Sequence, residues 1–340
     1  MSQSVFLGID CGATTSKVGA VDHQGEPLTT QLHQSETRGE AGADSILAGW
    51  MEGVEGFLRI TGLSWHSVAG VGLAIPGPYL DYGVLGRMPN LPASLEGWRF
   101  LEGLRQAVTE RAGRPIRVET ANDGQLAGVP EARVIQKESP GSVLMLAPGS
   151  GLGCSFVHAN GSVFGGDHQA GVILCHMPAP HESLGLPRFP CGCGRDWGCF
   201  EAYTSISGLP RLLEHVLPKY PGHELASSPL TPKARALTLR GRAQQGDPLA
   251  LEIFDLQAVA LGQAVAAGCM AYDPTHVVIG GGLMDRSATT PAFRERFIEH
   301  VRRSAARTSW VDIQSLSFHQ ATFGDLSQAI GAALMIRSLV

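Results

Sequence analysis

The chain has no basic surplus, no leader-like opening, no low-complexity tract and no even set of cysteines, and each absence removes a class of function. With 26 Lys and Arg against 31 Asp and Glu, the net charge is −5, so nothing draws the chain onto a polyanion and no nucleic acid is expected as a partner. The first apolar run, Val5–Ile9, stops at Asp10 and is preceded by no basic residue. It is too short for a signal peptide or a membrane span, and the expectation is a cytoplasmic protein with no membrane partner. Seven cysteines cannot all pair with one another, and three crowd into Cys191–Cys199. That crowding fits metal binding in a reducing compartment better than a disulfide framework. No long linker interrupts the chain; Leu217–Pro232, rich in Pro and Ser, is the expected exposed excursion. Charged residues make up 17% and hydrophobic residues 44% of 340 positions, an ordinary soluble composition with length for two cores of roughly 100–200 residues each.

What the chain does have is a pattern written twice. Phe6–Asp10, a small-residue loop Cys11–Ser16, Lys17–Val21 and the turn Asp22-His23-Gln24-Gly25 are matched later by Leu144–Ala147, the loop Pro148–Gly153, Cys154–Val157 and the turn His158-Ala159-Asn160-Gly161. Short apolar runs broken by Gly-rich turns read as hairpins, and such a turn leaves backbone N–H groups pointing outward where an anion can meet them. One such loop is equally well a plain hairpin turn. Two in matching contexts suggest a nucleotide's phosphates held by two related half-domains.

Between the repeats, strands and helices alternate. Pro27–Leu32 reads as a third strand, and apolar residues at Ile46, Leu47, Trp50, Met51, Val54, Phe57 and Leu58 follow helical spacing. Val68–Ile75 reads as a buried strand closed by Gly77-Pro78, the stretch Trp98–Val108 as a helix, and Ile116–Glu119 as a strand leading to Asn122-Asp123. In the second half Asp247 before Pro248 marks the start of a long Ala-rich helix ended by Asp273-Pro274. Its Glu252, Asp255, Gln257 and Gln263 argue for a packed helix over a membrane span. Val277–Ile279 is then a short strand running into Gly280-Gly281-Gly282.

Taken in order, Asp10-Cys11-Gly12-Ala13-Thr14, Pro76-Gly77-Pro78, Pro89-Asn90-Leu91-Pro92, Asn122-Asp123, Gly149-Ser150-Gly151-Leu152-Gly153, His176 with Cys191-Gly192-Cys193-Gly194 and Gly198-Cys199-Phe200-Glu201, and Gly280-Gly281-Gly282 resemble the ROK-family sugar kinases nearly end to end. The resemblance implies an α/β fold of two ribonuclease-H-like domains of the actin/hexokinase type, with ATP and sugar meeting in an interdomain cleft. The expected domains are 1–122 plus 322–340, carrying the first phosphate loop, and 123–321, carrying the zinc loop, the second phosphate loop and the adenosine motif. Some ROK relatives are repressors with a helix-turn-helix domain ahead of this core; this chain opens a few residues before its first loop, which disfavours that reading. The expected partners are a small-molecule sugar and a homodimer or higher homo-oligomer.

Phosphoryl transfer needs the moving group's charge neutralised and the acceptor hydroxyl aligned with it. Asp10, ending a buried strand, can hold Mg²⁺ directly or through water, with Gly12, Thr14 and Thr15 facing the phosphates; alternatively Asp10 only caps the hairpin. Gly149, Ser150 and Gly151 would form the opposing loop, Ser150 standing where relatives usually carry Thr. Gly280, Gly281 and Gly282 let backbone approach the adenosine closely, or else are a plain strand-to-helix turn. By resemblance Asp123 is the general base for the sugar hydroxyl, with Asn90, Asn122, His176 and Glu201 contacting the sugar; locally, Asn122-Asp123-Gly124 is also a common turn. Cys191, Cys193 and Cys199 with His176 make a Cys₃His set suited to a closed, structural Zn²⁺, through which His176 could tie metal to sugar. His181, nearer Cys191 in sequence, is a rival fourth ligand, and buried thiols without metal are the other alternative.

Two features depart from the family pattern. Five residues separate Cys193 from Cys199, one more than usual, a length that zinc loops tolerate. In Ala170–His176, Ile173 occupies the place where relatives usually carry a sugar-binding Glu, and an apolar side chain accepts no hydrogen bond from a hydroxyl. Either the acceptor is unusual or nearby Glu182 bends back to serve. The leading expectation is an ATP-dependent hexose or amino-sugar kinase, and the second a catalytically weak sugar- or nucleotide-binding protein.

Overall fold

A computed structural model describes residues 4–12, 14–88, 91–167 and 169–340. Its contacts group the chain into two units, Met1–Pro140 with Ser155–Val172 and Asp325–Val340, and Gly141–Cys154 with Ile173–Gly324.

The first apolar run is β1 (Val5–Cys11), and β2 (Thr15–Val21) returns antiparallel beside it with Asp10 opposite Lys17. The turn at Asp22 closes as the sequence suggests, the N–H of Gly25 donating to Asp22 O at 2.9 Å. The third strand is displaced from the expected Pro27–Leu32: β3 lies at His33–Glu36. Pro27 has no N–H for a ladder, and only an isolated bridge to Val21 forms there. Helix α1 (Ala43–Thr61) buries Trp50, Val54 and Phe57. It is followed by β4 (Val68–Ile75), parallel to β1, and by the hairpin β5 (Tyr79–Asp81) and β6 (Val84–Leu85). Then come α2 (Phe100–Ala112), β7 (Arg117–Asn122), parallel to β4, and α3 (Asp123–Glu138). The sheet order is β3-β2-β1-β4-β7.

The second hairpin is β8 (Val143–Pro148) and β9 (Leu152–Val157). Beyond it lie α4 (Glu201–Thr204), α5 (Leu209–Val216), α6 (Pro232–Gln244) and α7 (Pro248–Tyr272). The excursion before α6 is mostly exposed, pinned by buried Leu225 and by His223 Nε2 at 2.9 Å from Asp247 Oδ2. Asp247 caps α7 as its sequence suggests, its Oδ1 accepting from Ala250 N at 3.2 Å. By length and composition α7 could cross a membrane, but most of its apolar stretch is buried within the protein; it is a core helix. Then β10 (His276–Ile279), α8 (Pro291–Thr308) and β11 (Ser317–Gln320) complete a sheet ordered β11-β10-β8-β9, with β10 parallel to both β8 and β11. The series β2-β1-β4-β7 and β9-β8-β10-β11 have the same order, so the repeat read in the hairpins extends through both sheets. This is the two-fold ribonuclease-H-like construction of the actin/hexokinase-type fold.

The chain ends in α9 (Ser327–Leu339), which lies directly on β1 and β4. Glycines make that approach possible: a Cβ on Gly8 would lie 1.8 Å from Ala329 O, and one on Gly72 would lie 2.1 Å from Ala332 O. Helix α3 packs with α9 through Leu126, which shares a core cluster with Ala74, Ala121 and Ala332. The helix that opens at Asp123 therefore belongs with the first unit, whereas the sequence reading began the larger domain at 123.

Candidate active site

In the first unit, the charged residues gather where β1 and β7 end. Asp10 is half-buried near the end of β1, and its carboxyl is pushed up to about 7 by burial first and then by the charge of Asp123, with Lys17 opposing and Asp325 adding to the rise. Burial likewise raises Asp123 above the usual carboxylate range. Lys17 Nζ lies 3.5 Å from Asp325 Oδ2. Asp123 is the first residue of α3, and Asn122 is that helix's N-cap: its Oδ1 accepts from Gly124 N at 3.0 Å and Gln125 N at 3.3 Å. The Asn-Asp-Gly sequence is thus a capped helix start rather than a free turn, and the cap occupies the oxygen of Asn122 while its amide nitrogen remains a donor. Asp123 Oδ1 accepts from Gly124 N at 2.8 Å.

Tyr79, which the sequence reading passed over, supports this corner. Its hydroxyl donates to Ile75 O and meets the Asn122 side chain, and burial raises it far above the usual phenol range. The Pro76-Gly77-Pro78 turn that precedes it was the available signal.

The first loop is a tight hairpin. Gly12 N donates to Thr15 O at 3.1 Å, Thr37 Oγ1 donates to Gly12 O at 2.7 Å, and Thr37 N donates to Thr14 O at 3.0 Å. The Gly12 N–H is therefore used within the loop, while the Thr14 side chain is exposed and Thr15 half-buried. Asn90, the remaining expected sugar contact in this half, lies outside the described residues, as does Ala13.

In the second unit, the loop between β8 and β9 is braced by a carboxylate. Gly149 N donates to Gly151 O at 2.8 Å, and Glu201 Oε2 accepts from Leu152 N at 2.9 Å. A Cβ on Gly151 would lie 2.5 Å from Glu201 Oε2, so a side chain there would push the carboxylate out of its present place. Ser150 is exposed at the tip. Glu201 also reaches the cysteine cluster, its Oε1 lying 3.5 Å from Cys191 Sγ. Gly281, at φ 76°, places the glycine turn after β10 against the same loop: a Cβ there would meet Pro148 O at 1.9 Å. Gly280 N donates to Leu146 O at 2.9 Å. Gly149 and Gly282, with Ile206, Leu237, Arg240 and Phe254, line a cavity of about 100 Å³. Leu237 is 57% and Ile206 37% exposed, so the cavity has apolar walls open to a ligand. Its glycines stand out in the sequence and its walls do not, because Ile206 and the helix α6 that carries Leu237 and Arg240 belong to no local motif.

The ligand atoms of His176, Cys191, Cys193 and Cys199 all lie within 4.8 Å of one another. Cys193 Sγ and Cys199 Sγ are 3.8 Å apart, as are Cys191 Sγ and His176 Nδ1. Metal–sulfur bonds of about 2.3 Å in a tetrahedron imply edges of roughly 3.8 Å, so donor chemistry and spacing both fit Zn²⁺. His181 is engaged elsewhere, its Nδ1 3.2 Å from Leu186 O and its ring stacked on Tyr203. The longer Cys193–Cys199 loop is tied back, with Trp197 Nε1 donating to His176 O at 3.0 Å and Arg195 over the Trp197 ring. Ile173 is half-buried ahead of the turn Leu174–His176, and Glu182 is exposed on a separate turn, His181–Leu184.

Known proteins are similar along nearly the whole chain. A glucokinase of Halalkalibacterium halodurans is 25% identical over 99% of this chain and 96% of its own. An N-acetyl-D-glucosamine kinase of Vibrio cholerae is 29% identical over 87% of this chain and 90% of its own. The crystal structure of a ROK hexokinase from Thermus thermophilus superposes with a TM-score of 0.72 at 26% identity, covering 98% of both chains. Residues 6–338 match the ROK family, and the chain belongs to that family.

Proposed function

We propose that the chain transfers the γ-phosphoryl group of ATP to a hydroxyl of a hexose or amino sugar, with Asp123 as general base. The observation that carries this reading is the pair Asp10 and Asp123, two carboxylates in one electrostatic neighbourhood at the ends of β1 and β7, both raised by burial. A raised carboxylate is a better proton acceptor near neutral pH than an ordinary one. Asp123 takes the proton of the attacking hydroxyl as the new O–P bond forms and the bond to ADP breaks. Asn122 and Tyr79 hold the helix start that carries it.

Two like charges kept together call for a cation, and their hard oxygen donors suit Mg²⁺, with Asp10 its expected protein ligand. Mg²⁺ supplies charge neutralisation on the phosphates. The cavity by Gly149, Gly282 and Leu237 is assigned to the adenine and ribose, since largely apolar walls with backbone at close range suit a nucleoside. The Cys₃His set is assigned to a structural zinc: four protein ligands close the tetrahedron and leave no position for chemistry.

The relatives named above are kinases of glucose and of N-acetylglucosamine, which makes those sugars the first acceptors to try. ADP release measured across hexoses, hexosamines and N-acetylhexosamines tests the reading; turnover with at least one is expected, and none with any would overturn it. A second reading, a weak sugar- or nucleotide-binding protein, is favoured by one residue, Ile173. Binding by calorimetry without ADP release would decide for it.

A further inference from the structure

One buried side chain in the first unit makes contacts that packing alone does not require. Gln125, in the first turn of α3, is 0% exposed. Its Nε2 donates to Gly171 O at 2.9 Å and Gln169 O at 3.3 Å, and lies 3.5 Å from Gly165 O. A single amide thus gathers three carbonyls of the segment that runs from Gly165 to Gly171. A second glutamine from that segment returns the tie: Gln169 Nε2 donates to Thr120 O at 3.1 Å, on the strand that leads to Asn122 and Asp123. Two residues, Gln169 and Val172, are held in an unfavourable backbone conformation. Gln169 at φ 55° and Val172 at φ 58° are both left-handed without being glycine, and a β-branched residue such as Val172 is especially strained there.

The amide also carries a defect. Oε1 of Gln125 and Oε1 of Gln169 are buried with no hydrogen-bond partner among the described residues. A Met or Leu would fill the Gln125 volume but would leave the carbonyls of Gly171 and Gln169 without this donor, so the amide is retained for the tie it makes to the segment and not for its bulk. Places where a local rule is broken, with strain nearby, are where functional constraint is expected.

We propose that Gln125 is a positioning residue for the sugar acceptor. It clamps the strained segment Gly165–Val172, which runs directly into Ile173–His176, onto the first turn of the helix that begins with Asp123. The inference rests on the reading of the chain as a sugar kinase with its base at Asp123. Its expected consequence is selective for the acceptor side, because the hydrogen bonds of Gln125 and Gln169 run to this segment and to β7.

The test is steady-state kinetics on the full-length protein with whichever sugar turns over best. Gln125→Met keeps the volume and loses the donor; it is expected to raise KM for the sugar and lower kcat, about tenfold each, with KM for ATP within a factor of about two. Gln125→His keeps one ring N–H and should recover part of the loss. Ser155→Ala is the structural control, because Ser155 Oγ donates to Gln125 O at 2.5 Å; it removes a bond to the same residue without touching the amide and should lower Tm while leaving both KM values in place. Should Gln125→Met not fold, the split between the two KM values is read from Gln125→His alone. An unchanged sugar KM in the folded Gln125 variants, or equal rises in the KM for sugar and ATP, overturns the proposal. Asp123→Asn run in the same series keeps the two readings apart, since an active Asp123→Asn would remove the base while leaving the Gln125 result to be judged on its own.

Discussion

The two hairpins that open the halves of this protein share a strand order and differ in what holds their loops. The loop after β1 is tied by hydroxyls and backbone, Thr37 Oγ1 to Gly12 O and Ser16 Oγ to Thr37 Oγ1 at 2.9 Å, and stands beside a cluster of charges, Asp10, Asp123, Lys17 and Asp325. The loop after β8 is braced by a carboxylate, Glu201, which also reaches a cysteine set with zinc spacing. One architecture is therefore fitted once around buried charge and once around a braced loop. On the proposed function the buried carboxylates of Asp10 and Asp123 are the chemical half of that contrast, while a loop that binds phosphate needs only a backbone held still.

The sharpest way to break that contrast is Asp123→Asn. The amide keeps the shape of the side chain and cannot take a proton, so kcat should fall by about 10²–10⁴-fold while ATP and sugar still bind. Activity within a factor of about three of the parent would remove Asp123 from the mechanism and with it the claim that the first hairpin owns the chemistry.

The complementary cut falls on the brace. Cys191→Ser or Cys193→Ser should lose about one zinc per chain, lower Tm and reduce activity by roughly 10–100-fold, because on the proposed assignment the ion would order a Gly- and Pro-rich loop that also orients Glu201. Burial raises the Cys191 and Cys199 thiols, Cys199 to about 11, so without metal they stay protonated and are poor ties for the loop. Elemental analysis showing no zinc in a fully active preparation would sink this assignment.

Much of this was legible in the residues because it is written locally. The hairpins, the Asp247 cap of α7 and the Cys₃His spacing each depend on a few neighbouring side chains, and each is read from hydrogen-bonding or ligand chemistry at short range. What the sequence hid is carried by distant partners. Pro27 opens a stretch that reads as a strand although its missing N–H breaks the ladder, and α3 joins the first unit through Leu126 against Ala332, some 200 residues along the chain. The apolar walls at Ile206 and Leu237, the Tyr79 support and the Gln125 clamp exist only once strands and helices are assembled, since no spacing rule connects residue 125 to 165–171.

Ile173 offers a finer test, of the acceptor rather than the framework. If a hydroxyl lacks its partner there, Ile173→Glu should raise kcat/KM for glucose or N-acetylglucosamine by about tenfold, the worth of one hydrogen-bond partner to a buried hydroxyl. Glu182→Ala separates the case in which a neighbour already serves, and should then lower activity in the parent protein. Ordinary glucose kinetics in the parent, unmoved by Glu182→Ala, would show that Ile173 leaves the acceptor unchanged.

The smallest expected effect concerns stability and returns to the charges of the first hairpin. Asp10 has an ordinary value near 3.8 when unfolded and about 7 when folded, so between those limits the folded state binds more protons than the unfolded one. Stability must then fall as pH rises through that window, the opposite of the usual salt-bridged aspartate. Asp10→Asn removes this slope. In magnesium-free and nucleotide-free protein, the variant's Tm advantage over the parent should be smallest near pH 4.5 and grow by a few degrees toward pH 8, while its kinase activity is lost. Scanning calorimetry of both proteins across that range checks it. A Tm difference that stays flat with pH would mean that Asp10 is ionised at no cost, and the contrast between a reactive hairpin and a braced one would lose its electrostatic basis.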